Sequence, residues 1–243
     1  MRSFALCLVM LMICLSATAE EPAKPDRIRV LIVTGEDYES HLWRETAPAI
    51  RKILEQDNRF DVRIVEDPDF LASTAVANYD VIFLHFKNYP PLPHAVAARE
   101  NLASVVKQGK GLVLLDFACG AFDDWPEFTN LAGRVWDRKT GHDVRGPFIV
   151  NIAQPQHPIM RGMQDFQADD ELYTCLIGDR PVEVLATARS KVTGKDHPMA
   201  FVFEYGKGSV FHTPLGHDVG AIEMPGVAEL IRRGCLWTAN RLP

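Results

Sequence analysis

The sequence predicts an α/β fold, a doubly wound and mostly parallel sheet with helices on both faces, in a single domain. Three observations point there. Short β-branched runs alternate with amphipathic helical segments from residue 28 to 115, the intervals are long enough for the crossovers that parallel pairing needs, and no linker-like stretch divides the chain. With 243 residues, 47% of them hydrophobic, the chain can bury one full core.

Residues 1–19 stand apart from that fold. Arg2, the apolar run Phe4 to Leu15 and the small residues Ser16-Ala17-Thr18-Ala19 read as a secretory signal. Cleavage is expected after Ala19, because Ala17 and Ala19 fit the small-residue positions of the cleavage site. A lipid anchor on Cys14 is disfavoured by the bulky Ile13 before it. The expected location is therefore periplasmic or secreted. Residues 20–27 form a polar leader, and the domain spans 28–241.

Arg27 to Thr34 is a buried strand ending at Gly35. Thr46 and Pro48 open a helix that places Ala49, Ile50, Ile53 and Leu54 on one face. Phe60 to Val65 and Tyr79 to His85 are the second and third strands. A helix from about Pro93 buries Ala98, Leu102, Val105 and Val106 and stops at Gly109, and Gly111 to Leu115 is the fourth strand. From Phe148 the pattern changes to short strands joined by turns: Phe148 to Ile152, Val182 to Ala188, Met199 to Tyr205 and Ser209 to Thr213. Gly206-Lys207-Gly208 is a hairpin turn, and a last helix runs from about Gly226 to Asn240.

Composition narrows the ligand. The formal charge of −6 excludes the phosphate-neutralising surface of a nucleic-acid binder. After signal cleavage no segment would hold the chain to a membrane. The expected partner is a small molecule or a protein, and the even charge distribution singles out no oligomer interface. Cys119, Cys175 and Cys235 remain after cleavage and allow at most one disulfide; as free thiols they are small buried hydrophobes.

In an open α/β sheet, ligands bind beyond the carboxyl ends of the strands. His41 after the first strand, His85 after the third, Asp116 after the fourth, and His217 and Asp218 after the last all converge on that edge. Gln167 to Tyr173 concentrates Asp169, Asp170 and Glu171 in what reads as a loop, without basic neighbours, and so as a ligand-facing segment.

These segments carry a family resemblance. Gly35 to Pro48, read as G-x5-H-x-W-x2-T-x-P, is followed in order by four more segments: Gly111 to Ala118, His157-Pro-Ile-Met-Arg-Gly162, Asp170-Glu-Leu-Tyr173, and Tyr205 to His212 with Leu215-Gly-His-Asp218. Together they resemble the ThuA-like, or trehalose-utilisation, family from about residue 28 to 241. The resemblance implies a class I glutamine amidotransferase-like, flavodoxin-like fold and a link to disaccharide or 3-keto-glycoside metabolism. His41 and Trp43 match its first motif, Glu171 and Tyr173 its D-E-L-Y motif, and His217 with Asp218 its G-H-D motif. Asp116 stands where many members carry a histidine.

Glutamine amidotransferase chemistry is not expected. Cys119 lacks the glycine two residues earlier that a nucleophile elbow needs, and no His-x-Glu follows late in the chain. The favoured expectation is a sugar-active hydrolase or lyase working by general acid–base catalysis, with His217, Glu171, His41 and Asp116 as catalytic groups. Trp43, His85, Tyr173, Asp218 and Trp125 would bind substrate, the aromatic rings serving as faces for sugar. No cofactor is expected. One alternative is a metal-dependent hydrolase with a divalent ion on three of His41, His85, Asp116, His217 and Asp218. The other is a carbohydrate-binding or scaffold module that turns nothing over.

Overall fold

The computed structural model describes residues 27–242 apart from 38, 88–94, 123, 138 and 140. The expected signal segment 1–19, residues 20–26 of the expected leader, Tyr38 and the expected helix start at Pro93 lie outside the described residues.

The first half alternates strand and helix: β1 (Ile28–Val33), α1 (Trp43–Glu55), β2 (Phe60–Val65), β3 (Val81–Leu84), α2 (Ala95–Lys107) and β4 (Gly111–Leu115). The second half contains α3 (Pro126–Ala132), β5 (Val135–Trp136), β6 (Gly146–Ile152), β7 (Phe166–Asp170), β8 (Leu176–Ile177), β9 (Glu183–Arg189), β10 (Asp196–Tyr205), β11 (Gly208–Thr213), α4 (Val219–Glu223) and α5 (Pro225–Thr238). Nine strands form one sheet in the order β2-β1-β3-β4-β11-β10-β9-β6-β7, and β5 pairs with β8 separately. The five strands from β2 to β11 are mutually parallel. The four from β10 to β7 continue the sheet antiparallel.

Alternation along each central strand builds two cores. Val30 and Ile32 of β1 face the layer holding Ile50 and Leu54 of α1 and Leu230 and Ile231 of α5. Leu31 and Val33 face the opposite layer, with Leu102 and Val106 of α2 and Phe128 of α3. A stretch covered on both sides must be apolar at every position, which is why Val30 to Val33 is an unbroken apolar run, whereas Arg29 near the start of the strand stays exposed.

The two-residue loop Gly206-Lys207 joins β10 and β11 with Tyr205 opposite Gly208. Gly206 has φ +65°, and a Cβ there would sit 2.7 Å from the Lys107 backbone. Two expectations change. Helix α1 begins at Trp43 rather than Thr46, so Pro48 lies inside it; packing of the buried Trp43 ring outweighs the proline penalty. The segment from Phe166 to Asp170 is edge strand β7, paired with β6, not a loop. Its three polar positions out of five hide the alternation from a period reading.

Candidate active site

Sheet topology assembles the site. Parallel β1, β3, β4 and β11 deliver their carboxyl ends to one edge, followed by His41, His85, Asp116 and His217. Each antiparallel step beyond β11 reverses direction, so after four steps β7 again runs the same way as β11. Its end at Asp170 and Glu171 therefore reaches that same edge.

There, His41, His142, Glu171, Tyr173 and His217 line a cavity of about 120 Å3, with Ser40, Lys87, Phe117 and Trp136 completing its wall. Glu171 lies between two imidazoles: its Oε2 is 3.4 Å from His217 Nδ1 and 3.5 Å from His142 Nε2. On the inner side, His41 Nε2 is 3.2 Å from Asp116 Oδ2, and the His41 and His217 rings meet edge-on at 4.7 Å. A ligand atom from each of His41, Asp116 and His217 lies within 4.8 Å of the others. The Tyr173 ring meets Trp136 edge-on at 5.1 Å. Lys87 Nζ sits 4.7 Å above the Trp136 ring.

Burial sets the charge state of the inner wall. It pushes His41 down to about 3, helped by the nearby His217 and His85. It raises the Asp116 carboxyl well above its usual range, with the Asp170 charge adding. Asp116 also has φ +51°, a backbone conformation uncommon for a residue with a side chain.

The three acidic neighbours have three fates. Asp169 pairs with Arg145 at 3.4 Å, so the expected absence of basic neighbours does not hold in space. Asp170 is fully buried and accepts the backbone N–H groups of Gly216 at 2.7 Å, Glu171 at 2.8 Å and His217 at 3.4 Å. It clamps the end of β7 to the turn carrying His217; burial outweighs those donors and brings its carboxyl up to about 7. Glu171 alone faces the cavity.

Several expected ligand residues take other places. His85 is fully buried behind the cavity, its Nε2 2.8 Å from Thr46 Oγ1. Asp218 caps α4 by accepting the Ala221 N–H at 2.8 Å and pairs with Arg145 at 2.9 Å, so its carboxylate is occupied by the fold. Trp43 donates its indole N–H to Asp37 at 2.7 Å and lines an adjoining cavity of about 420 Å3 that shares His41. Trp125 stacks on Phe128 and meets Phe122 edge-on, and it lines a cavity beside Glu127 and Ser104 that is separate from the histidine cavity. Its ring is drawn there by the apolar layer beneath α2 and α3.

His142, Trp136 and Lys87 were missed in the sequence. His142 enters through an isolated bridge to Tyr173, and Trp136 through the two-residue pairing of β5 with β8. Neither leaves a periodic signal. Lys87 lies two residues beyond His85, and that spacing was the one available clue.

Cys119, Cys175 and Cys235 are free and buried. Burial pushes the Cys119 thiol well above its usual value, and Asp116 adds to this, which is the opposite of an activated nucleophile.

A sequence profile of the family described as ThuA, trehalose utilisation, matches residues 29–238. No curated protein sequence matches the chain. Among solved structures, the fold is similar to a ThuA-like protein from Parabacteroides merdae, at TM-score 0.79 and 24% identity over 89% of this chain and 91% of that one. A ThuA-like protein from Bacteroides uniformis gives TM-score 0.72 and 20% identity over 91% and 94%. A glutamine amidotransferase from Thermotoga maritima gives TM-score 0.54 and 11% identity over 88% and 98%. These likenesses establish the glutamine amidotransferase-like α/β fold, and the profile match over nearly all the described residues places the chain in the ThuA, or trehalose utilisation, family.

Proposed function

We propose that this protein is an exported enzyme that cleaves an oxidised disaccharide, a 3-keto-glycoside, by general acid–base catalysis. The observation that carries the reading is Glu171 held between His217 and His142 at the cavity wall. A ketone acidifies the C–H bond beside it. The Glu171–His217 pair takes that proton, the electron pair forms a carbon–carbon double bond, and the adjacent glycosidic C–O bond breaks. The leaving oxygen takes a proton from His142 or from water, and addition of water across the new double bond completes a net hydrolysis. Such acid–base assistance is worth ~10²–10⁴ in rate.

Trp136 and Tyr173 offer aromatic surface to the reacting ring. A cavity of about 120 Å3 suits that ring alone, and the adjoining cavity of about 420 Å3 beside Trp43 suits the second sugar. Export rests on the N-terminal segment, and sequencing the mature N-terminus tests it: Glu20 is the expected first residue, and an intact Met1 contradicts it.

The chemistry is tested by incubating a 3-keto-disaccharide in D2O and following, by NMR, deuterium uptake at the carbon next to the ketone. The wild-type protein should accelerate uptake and Glu171→Gln should not. Uptake equal in buffer, wild type and variant contradicts the reading.

A further inference from the structure

Three donors of metal-binding type meet on the inner wall of the site. His41 follows β1, Asp116 follows β4 and His217 follows β11, so three separate strand ends hold them. Their donor atoms lie within 4.8 Å of one another, and the His41 to Asp116 distance is 3.2 Å. Two ligands at ~2.0–2.1 Å from a tetrahedral ion stand about 3.4 Å apart. Small side-chain adjustments would therefore bring all three onto one ion.

The surroundings fit that role. His41 is 7% exposed and Asp116 is fully buried, so an ion there would lose competing water ligands. A neighbouring carboxylate supports one of the donors: Glu171 Oε2 is 3.4 Å from His217 Nδ1. A carboxylate behind a ligating imidazole is the usual support of a metal-bound histidine. The cavity borders His41 and His217 and leaves one side of the trio open to a further oxygen ligand.

We propose that His41, Asp116 and His217 bind a divalent first-row transition-metal ion whose open side accepts an oxygen of the substrate. Two histidines and one carboxylate with open positions suit zinc, iron(II), cobalt(II) or manganese(II) better than calcium or magnesium. This rests on and deepens the sugar-cleaving reading: an ion there would polarise the ketone oxygen, and within the Glu171–His217 pair the proton would pass to Glu171, which is not among the three ligands, with His217 beside it at 3.4 Å. His85 and Asp218, already held by Thr46 and by the α4 cap, take no part.

The test needs no substrate. Metal-free full-length protein is titrated with cobalt(II) chloride while its visible d–d absorption is followed, alongside Asp116→Asn and His41→Ala. Asparagine tolerates the left-handed backbone, so Asp116→Asn alters the donor without adding strain, and circular dichroism checks that both variants fold. The wild type should bind one equivalent, with both variants weakened more than ~100-fold. Wild-type saturation absent at millimolar cobalt, or unchanged in both folded variants, overturns the inference. Stoichiometric cobalt binding without any sugar turnover sustains the metal site and removes the sugar reading; turnover that survives complete chelation does the reverse.

Discussion

The two walls of the cavity come from two unlike halves of one sheet. The parallel half supplies His41 and Asp116, both buried and both driven by burial toward their uncharged forms. The antiparallel half and its connections supply Glu171 and His142, which retain 16% and 33% side-chain exposure and face each other across 3.5 Å. His217 stands between them, its ring against His41 on one side and its Nδ1 toward Glu171 on the other. The contrast teaches a division of labour: groups fixed at the ends of doubly covered strands suit holding, while groups on the open rim suit moving protons.

The largest expected effect tests the rim. Glu171→Gln keeps the side-chain volume and should lower turnover of the sugar substrate by ~10²–10⁴ with little change in melting temperature. A loss below tenfold in steady-state kinetics breaks the proposed division.

Next comes the joint between the halves. Asp170→Ala strips the acceptor from the N–H groups of Gly216, Glu171 and His217. Of the three bonds only that from Gly216 is buried, and an unsatisfied buried donor costs ~1–3 kcal/mol, so urea unfolding should show a loss of about 1–3 kcal/mol. A loss below ~1 kcal/mol means the clamp does not hold β7 to the His217 turn.

The parallel half should also show an acid sensitivity that does not involve the site. His212 in β11 is fully buried, is packed on Phe201, and holds the Ala132 carbonyl at 2.9 Å with Arg134 nearby. Burial lowers it from 6.5 to about 4. The unfolded chain takes up this proton near pH 6.5 and the folded chain only near pH 4. Its stabilising contribution is therefore complete above pH 6.5 and is lost as pH falls toward 4. At ~1.4 kcal/mol per pH unit the loss approaches about 3 kcal/mol. Urea melts from pH 7 to 4 should slope accordingly, and His212→Asn should flatten the slope. An equal slope in the variant contradicts the assignment.

The smallest effect sharpens the boundary of the site. Trp125→Ala should leave turnover within about twofold while lowering the melting temperature, because the ring packs on Phe122 and Phe128 and does not line the histidine cavity. A tenfold fall in turnover returns Trp125 to the site.

The parallel half was far more legible than the antiparallel half. Gly111–Leu115, covered on both faces, is an unbroken apolar run, and Phe60–Val65, at the sheet edge, alternates; both are read from the sequence with the bounds the structure shows. The edge rule then placed His41, Asp116 and His217 together, since the carboxyl ends of parallel strands share one side by construction. Strand β7 was illegible because an edge strand ending Gln-Ala-Asp-Asp has no apolar period, and its carboxylates are satisfied by a distant arginine and a distant turn. His142 and Trp136 depend on single tertiary bridges, for which local sequence carries no signature. The proline rule misplaced the start of α1 because burial of the Trp43 ring in the folded chain, which extends the helix back past Pro48, is not visible in the local sequence.

The central claim is that the Glu171–His217 pair cleaves an oxidised disaccharide. The most direct measurement is a mass-spectrometric product screen over plain disaccharides and their 3-keto derivatives, run with wild type, Glu171→Gln and His217→Ala. The account predicts monosaccharide-sized products from a 3-keto substrate with the wild type and at least a hundredfold less with either variant. Products formed equally by all three proteins, or by none of them on any substrate, would contradict it.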